Sequence, residues 1–124
     1  MATIVHTEPS LEGVNSRAKA FTWGPLIAGS LVGDAANVSN AGLSLTLDAS
    51  GTWASATLTI RGSNKPAPDP TVAADWFTLK NQLGTAATLT ADGGLSLSDL
   101  PLWISPIIAG GGGTESITVR LIAR

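Results

Sequence analysis

The segment Ala54-Ser-Ala-Thr-Leu-Thr-Ile60 alternates apolar residues with hydroxyl residues. Leu43-Ser-Leu-Thr-Leu47 and Ile117-Thr-Val-Arg-Leu121 show the same two-residue period. Successive side chains of a β-strand point to opposite faces of its sheet, so this period predicts three strands with one apolar face each. We expect these apolar faces to meet in one interior, formed by Leu45, Leu47, Leu58, Ile60, Val119 and Leu121.

Turn residues between the strands predict how they are connected. Asp48-Ala-Ser-Gly51 separates the first two alternating segments and predicts a hairpin. Gly110-Gly-Gly-Gly-Thr114 predicts a second hairpin, from Leu102-Trp-Ile104 to the last strand. Pro106 has no backbone N–H, which predicts an edge strand or a bulge at that point. Shorter segments predict further strands at 21–28, 76–80 and 87–91 and one helical turn at 70–75.

Seven or eight short strands at regular spacing predict an all-β fold, an antiparallel β-sandwich that is jelly-roll-like. The length of 124 residues suits one such domain, which we assign to residues 21–124. Residues 1–20 alternate poorly and are richer in charge. We interpret them as an extended N-terminal arm that becomes ordered on a neighbouring subunit; a disordered terminus is the alternative.

Charge is unusually sparse along this chain. Seven Lys and Arg and nine Asp and Glu make 13% of the residues, against about 25% in ordinary domains. No charged residue occurs in 21–33, 35–47 or 100–114. A small domain in water normally covers its surface with charged side chains. We therefore expect much of this surface to face other chains, including copies of itself in a homo-oligomer.

Composition also argues against several classes of protein. A formal net charge of −2 and scattered basic residues do not favour a nucleic-acid binder or a membrane-surface patch. No apolar run approaches the ~20 residues of a membrane span, and the N-terminus lacks a signal-peptide pattern, so we expect synthesis in a cytoplasm. The absence of Cys removes disulfides and thiol chemistry.

The polar positions of the alternating strands are the candidate partner-binding residues. Uncharged hydroxyl faces can pack against another chain without burying ions. The alternative is that Thr is simply a good strand former. The candidates are Ser44, Thr46, Ser55, Thr57, Thr59, Thr118 and Arg120.

No constellation of residues predicts catalysis, a metal site or a cofactor. His6 is the one histidine, and a zinc site or a Ser-His-Asp triad needs more convergent groups than its segment offers. The six aspartates fall mostly in predicted turns, which explains them without chemistry. The glycine run lacks the Lys-Ser/Thr of a phosphate loop. Trp23, Trp53, Trp76 and Trp103 favour core or interface packing, with stacking on sugar rings as the alternative.

From Trp53 onward, a little over half of the chain resembles small structural proteins of tailed-phage virions. The similar features are Ile60-Arg-Gly-Ser-Asn64, Trp76-Phe-Thr-Leu79 and Leu83-Gly84, then Leu102-Trp-Ile-Ser-Pro106, the turn 110–114 and Thr118-Val-Arg-Leu121. Lys65-Pro-Ala-Pro-Asp-Pro70 departs from the family pattern as a longer insert.

The resemblance implies a capsid cement or decoration protein, a non-enzymatic jelly-roll-like protein on the capsid surface of a virion. Its partners would be the major capsid protein and copies of itself, with no cofactor. The alternatives are a phage tail or head-completion component and, in another class, a carbohydrate-binding β-sandwich module.

Overall fold

The computed structural model describes residues 3–8, 19–39 and 44–124. In that part of the chain, strands dominate and the helical structure is one 3-10 turn, Ala73–Asp75. The strands are β1 (Thr3–Ile4), β2 (Lys19–Ile27), β3 (Val32–Gly33), β4 (Ala36–Asn37), β5 (Leu45–Thr52), β6 (Thr57–Ser63), β7 (Phe77–Thr78), β8 (Thr88–Leu89), β9 (Gly93–Leu97), β10 (Trp103–Ala109) and β11 (Ser116–Ala123).

Two sheets pack face to face. The four-stranded sheet has the order β2-β11-β5-β9, and all its neighbouring strands are antiparallel. The seven-stranded sheet has the order β1-β3-β10-β6-β7, with β4 also paired to β10 and β8 to β6. Its pairs are antiparallel except β1 with β3. The predicted all-β antiparallel sandwich is confirmed.

The six predicted interior residues do meet in one core. Leu45 and Leu47 come from β5, Val119 and Leu121 from β11, and Leu58 and Ile60 from β6 in the other sheet; none is more than 5% exposed. Each such burial contributes about 1.5–3 kcal/mol relative to an exposed side chain. The two-residue period therefore identified the correct faces of strands that belong to different sheets.

The first predicted hairpin is wrong. Asp48–Gly51 lies inside β5, where it pairs with β11 on one side and partly with β9 on the other. β5 and β6 belong to different sheets and are joined by residues 53–56, where the amide of Ala56 donates to Trp53 O at 2.7 Å. Ala54 and Ser55 have positive φ values, so Ser55 lies in a turn, not in the predicted strand.

The second predicted hairpin is also wrong. β10 belongs to the seven-stranded sheet and β11 to the four-stranded sheet, so the glycine run 110–113 carries the chain from one sheet to the other. Gly110 and Gly113 have positive φ, and the amide of Gly112 donates to Ala54 O at 2.9 Å. A glycine-rich turn fits either connection. Glycine allows the chain to reverse direction locally, but it does not determine which strand the next segment pairs with.

Pro106 lies in an interior strand rather than at an edge. β10 pairs with β6 on one side and with β3 and β4 on the other. The amide of Ile108 donates to Leu31 O on the β3 side, so alternation directs the nitrogen of Pro106 to that side too. On that side, the residues between β3 and β4 do not pair with β10. The N–H that Pro106 lacks would therefore have had no partner in the sheet.

The predicted arm lies partly outside the described residues, at 1–2 and 9–18. Residues 3–8 contact the sandwich: β1 pairs with β3, and Thr7 and Thr22 exchange two backbone hydrogen bonds of 2.8 Å. β2 begins at Lys19, two residues before the predicted domain boundary. Whether the arm engages a neighbouring subunit stays a prediction.

Candidate docking faces

The outer face of the four-stranded sheet brings four of the seven candidate residues together. Thr46 lies on β5, Thr118 and Arg120 lie on β11, and Ser44 precedes β5, exchanging backbone hydrogen bonds with Arg124. Ser44, Thr46 and Arg120 are exposed, while the residues that alternate with them along β5 and β11 point into the core. Strand alternation and the direct pairing of β5 with β11 produce this arrangement.

Arg120 faces a carboxylate on that surface. Its Nη1 lies 3.0 Å from Asp48 Oδ1 and 3.4 Å from Ser50 Oγ. Both charged side chains are about half exposed, so the pair adds little to stability. The pair instead removes net charge from this surface. A partner that covers the surface meets a neutral pair and hydroxyl groups rather than a lone ion.

The other three candidates lie elsewhere. Thr57 and Thr59 are half-buried on β6, opposite Ala109 and Ile107 of β10, on the outer face of the seven-stranded sheet. Ser55 is exposed in the preceding turn. The candidate residues therefore form two sets on opposite sides of the sandwich, a division that a period of two cannot reveal.

The segment 64–76 covers part of the seven-stranded sheet's outer face. Beneath it lies Arg61, which is 9% exposed although it occupies an outward position of β6. Arg61 Nη2 donates to Pro70 O at 3.1 Å and to Ser105 Oγ at 2.7 Å. The guanidinium carbon lies 5.0 Å from the centre of the Trp76 ring.

This cluster was missed at the sequence level. The available signal was Arg61 at a polar position of an alternating strand, followed by a proline-rich insert. Alternation alone predicts an exposed arginine there. Burial arises because the insert folds back across the sheet, which alternation within the strand does not reveal.

His6 is held by the sandwich. Its Nδ1 lies 2.7 Å from Asp34 Oδ1, and the same oxygen accepts a 3.0 Å bond from Trp23 Nε1. The His6 ring also lies edge-on to Phe21. A His–Asp pair is part of a catalytic triad, but His6 Nε2 lies 3.4 Å from Glu8 Oε2, where a nucleophilic hydroxyl would have to stand. The described residues contain no group of three His, Asp or Glu placed to hold a metal ion.

Three aspartates serve as hydrogen-bond acceptors for loops. Asp92 accepts bonds from Trp53 Nε1 and the amide of Gly51, and these bonds hold its pKa below the usual value. Backbone and side-chain bonds from Thr71 lower the pKa of Asp69, and the amide of Asp69 and the Lys65 side chain do so for Asp75. A glycosidase acid needs a raised pKa, so these carboxylates have the opposite electrostatics.

The tryptophans do not form an exposed aromatic platform. Trp23 is fully buried in the core, and its Nε1 also donates to Asp34 O. Trp53, Trp76 and Trp103 are half-buried. Trp53 Nε1 is bonded to Asp92, and Trp76 Nε1 donates to Asp69 O at 2.8 Å. Sugar stacking needs an open ring face, and Trp76 uses one of its faces on Arg61.

The glycine run is unsuited to phosphate. Glu115 is 5% exposed, and its Oε2 accepts the amide of Gly113 at 2.8 Å. A phosphate bound there would compete with a carboxylate for the same amide and be repelled by it.

Comparison with other proteins found no matching family model, curated protein or solved structure. Within the described residues, no helix has the length and apolar character needed to cross a membrane.

Proposed function

We propose that the chain is a non-enzymatic structural protein of a tailed-phage virion, a cement or decoration protein that binds and stabilises the capsid shell. The observation that carries the proposal is the outer face of the four-stranded sheet. It presents hydroxyl groups and one neutralised ion pair, Asp48–Arg120. Such a face can be covered by another protein without leaving an unpaired ion.

Exposed apolar side chains support the same proposal. Phe77, at the start of β7, and Leu83, Leu100 and Leu102, in later connections, are between 41% and 88% exposed. Backbone and side-chain bonds to Asn81 shape the turn that carries Leu83. Several exposed apolar side chains within 77–102 fit a protein that works in contact with others.

The test is binding to heads that lack the chain. Heads of the phage that encodes it, assembled without it, are mixed with purified protein and sedimented. We expect saturable co-sedimentation and greater resistance of the heads to heat. The purified protein alone should sediment as a dimer or trimer, or bind other weakly charged protein surfaces. A monomer with no affinity for the heads contradicts the proposal.

The alternatives give different results in the same series. A tail or head-completion component would co-sediment with tails, or in few copies per head, rather than saturating the shell. A carbohydrate-binding module would bind a defined glycan and lose that binding when an exposed ring is removed. Hydrolysis of a glycan or ester that is lost in His6→Ala or in one Asp→Asn variant would identify an enzyme.

A further inference from the structure

Among the residues that the structure describes, Arg61 is a buried cation without a carboxylate partner. Its side chain lies between the outer face of the seven-stranded sheet and the segment 64–76, and it is 9% exposed. The ion pairs within 3–8, 19–39 and 44–124 involve His6, Lys65 and Arg120, not Arg61. A buried charge that no opposite charge compensates is costly, and burial lowers the pKa of this guanidinium.

The acidic residues of the covering segment are engaged elsewhere. Asp75 Oδ1 pairs with Lys65 Nζ at 2.7 Å, and its other oxygen accepts the amide of Asp69. Asp69 Oδ1 accepts both the amide and the hydroxyl of Thr71. The segment therefore brings two carboxylates close to Arg61 in sequence and uses neither of them to neutralise it.

The donors of Arg61 are only partly used. Nη2 makes the bonds to Pro70 O and Ser105 Oγ, and Ser105 Oγ in turn donates to Gly33 O at 2.7 Å. Nε is enclosed and has no acceptor. Nη1 also lacks an acceptor in the described chain, and unlike Nε it keeps some contact with solvent. One charged donor thus remains available while the rest of the group is fixed by Ser105, Pro70 and the face of Trp76.

We propose that Arg61 is a receptor for a single carboxylate, carried by an Asp or Glu side chain of the capsid protein, which would contact the outer face of the seven-stranded sheet as well as that of the four-stranded sheet. Thr57 and Thr59 belong to the same face of β6 and would contact that partner. The proposal deepens the docking function and rests on it for the identity of the partner. The anion site itself can be tested without the partner.

The charge of the site selects the ligand. Phosphate carries between −1.5 and −2 charges at neutral pH and is usually held by several cations. Here Lys65 is paired with Asp75, and Arg61 alone remains. A carboxylate carries one negative charge, which one guanidinium balances. The net charge of −2 likewise disfavours a polyphosphate partner.

The first experiment uses the unmodified protein and sodium acetate as the probe. Side-chain Nε–H resonances of arginine are followed by NMR at constant ionic strength, with chloride replaced stepwise by acetate and, separately, by methyl phosphate. Arg120, on the opposite face, is the internal control. We expect a saturable acetate-dependent shift at Arg61, at most a linear drift at Arg120, and weaker binding of methyl phosphate. Absence of saturation at Arg61, an equal response at Arg120, or tighter binding of methyl phosphate overturns the proposal.

The second experiment separates this site from the proposed function. Arg61→Lys keeps the positive charge and removes the planar donor group, and Arg120→Lys is the matched control. After thermal melts show that both variants are folded, Arg61→Lys should bind acetate and phage heads about tenfold more weakly than the wild type, and Arg120→Lys should bind acetate as the wild type does. Equal head binding by Arg61→Lys and wild type contradicts the carboxylate receptor alone. Saturable acetate binding at Arg61 in a protein that binds no heads contradicts the virion function alone.

Discussion

The outer faces of the two sheets differ, although the same alternation of apolar and polar residues predicts both of them. The four-stranded sheet has an open face, on which Arg120 is half exposed and paired with Asp48. The seven-stranded sheet is partly covered by the segment 64–76, and Arg61 lies beneath that cover with no carboxylate partner in the described part of the chain. Both arginines occupy polar positions of alternating strands. The comparison shows that a strand's period fixes which way a side chain points, while the fold of the loop that follows the strand decides whether water reaches it.

The largest expected effect tests the interior that the two faces share. Leu58→Ala should lower the free energy of unfolding by about 2–5 kcal/mol through lost transfer energy and the cavity left behind. Thr57→Ala, on the outward side of the same strand, should cost less than about 1 kcal/mol. Urea unfolding of both variants measures the difference. Equal losses would mean that Thr57 is as completely packed as Leu58, and the distinction between inner and outer faces would fail for β6.

The two arginines provide the most direct test of the comparison. Arg61→Ala removes two hydrogen bonds and the packing against Trp76, and should lower the free energy of unfolding by about 1–3 kcal/mol. Arg120→Ala removes an exposed ion pair and should cost about 0–1 kcal/mol. Denaturant midpoints measure both effects. If the two variants lose equal stability, the covering segment does not hold Arg61 as the structure has it.

We expect Asp92, which precedes the edge strand β9 of the four-stranded sheet, to make the stability of the fold depend on pH in the acid range. Its folded pKa is lowered by bonds from Trp53 and Gly51, so its contribution to stability is present above the unfolded pKa of about 4 and is lost as pH falls through the folded value. Unfolding midpoints should therefore fall less steeply below pH ~4 in Asp92→Asn than in the wild type. Asp99→Asn is the matched control on the next loop. Identical acid profiles for wild type and Asp92→Asn would contradict this assignment.

The smallest effect on stability is expected on the open face. Thr46→Arg adds a charge at an exposed position of β5 and should change the free energy of unfolding by no more than about 0.5 kcal/mol. Binding to phage heads should nevertheless weaken, because docking would then bury an unpaired ion. Thermal melts and co-sedimentation measure the two effects. Unchanged head binding would remove the four-stranded face from the docking surface and leave the face of Thr57 and Thr59 as the candidate.

The N-terminal segment allows a further test. Deleting residues 1–12 should leave the sandwich folded, since the main strands do not include it, while binding to heads decreases. The deletion removes the pairing of β1 with β3 and the His6–Asp34 contact. Circular dichroism and thermal melts follow folding, and co-sedimentation follows binding. An unfolded truncation product would show that these contacts belong to the fold rather than to docking.

Local pattern predicted the alternating strands β5, β6 and β11 and their apolar faces but not their neighbours. Leu45, Leu58 and Val119 were assigned to one interior because side-chain direction follows from the chain itself. Both hairpins were wrong because a turn sequence such as Asp48–Gly51 is compatible with strand structure when long-range pairing favours it, here with β11 and β9. Of the edge strand or bulge predicted at Pro106, the edge strand was wrong, because the missing donor faces a break in the neighbouring chain, which lies far away in sequence.

By itself, the sequence determined the fold class, the inner and outer sides of the main strands and the scarcity of surface charge. These are local or additive properties, set by side-chain direction and composition. Tertiary structure alone decided which strands share a sheet, how the candidate hydroxyl residues divide between two faces, and that Arg61 is buried while Arg120 is open. The physical reason is that those features depend on how separate segments pack together: distant strands pair with one another, Arg61 contacts Ser105, and residues 64–76 fold back across β6.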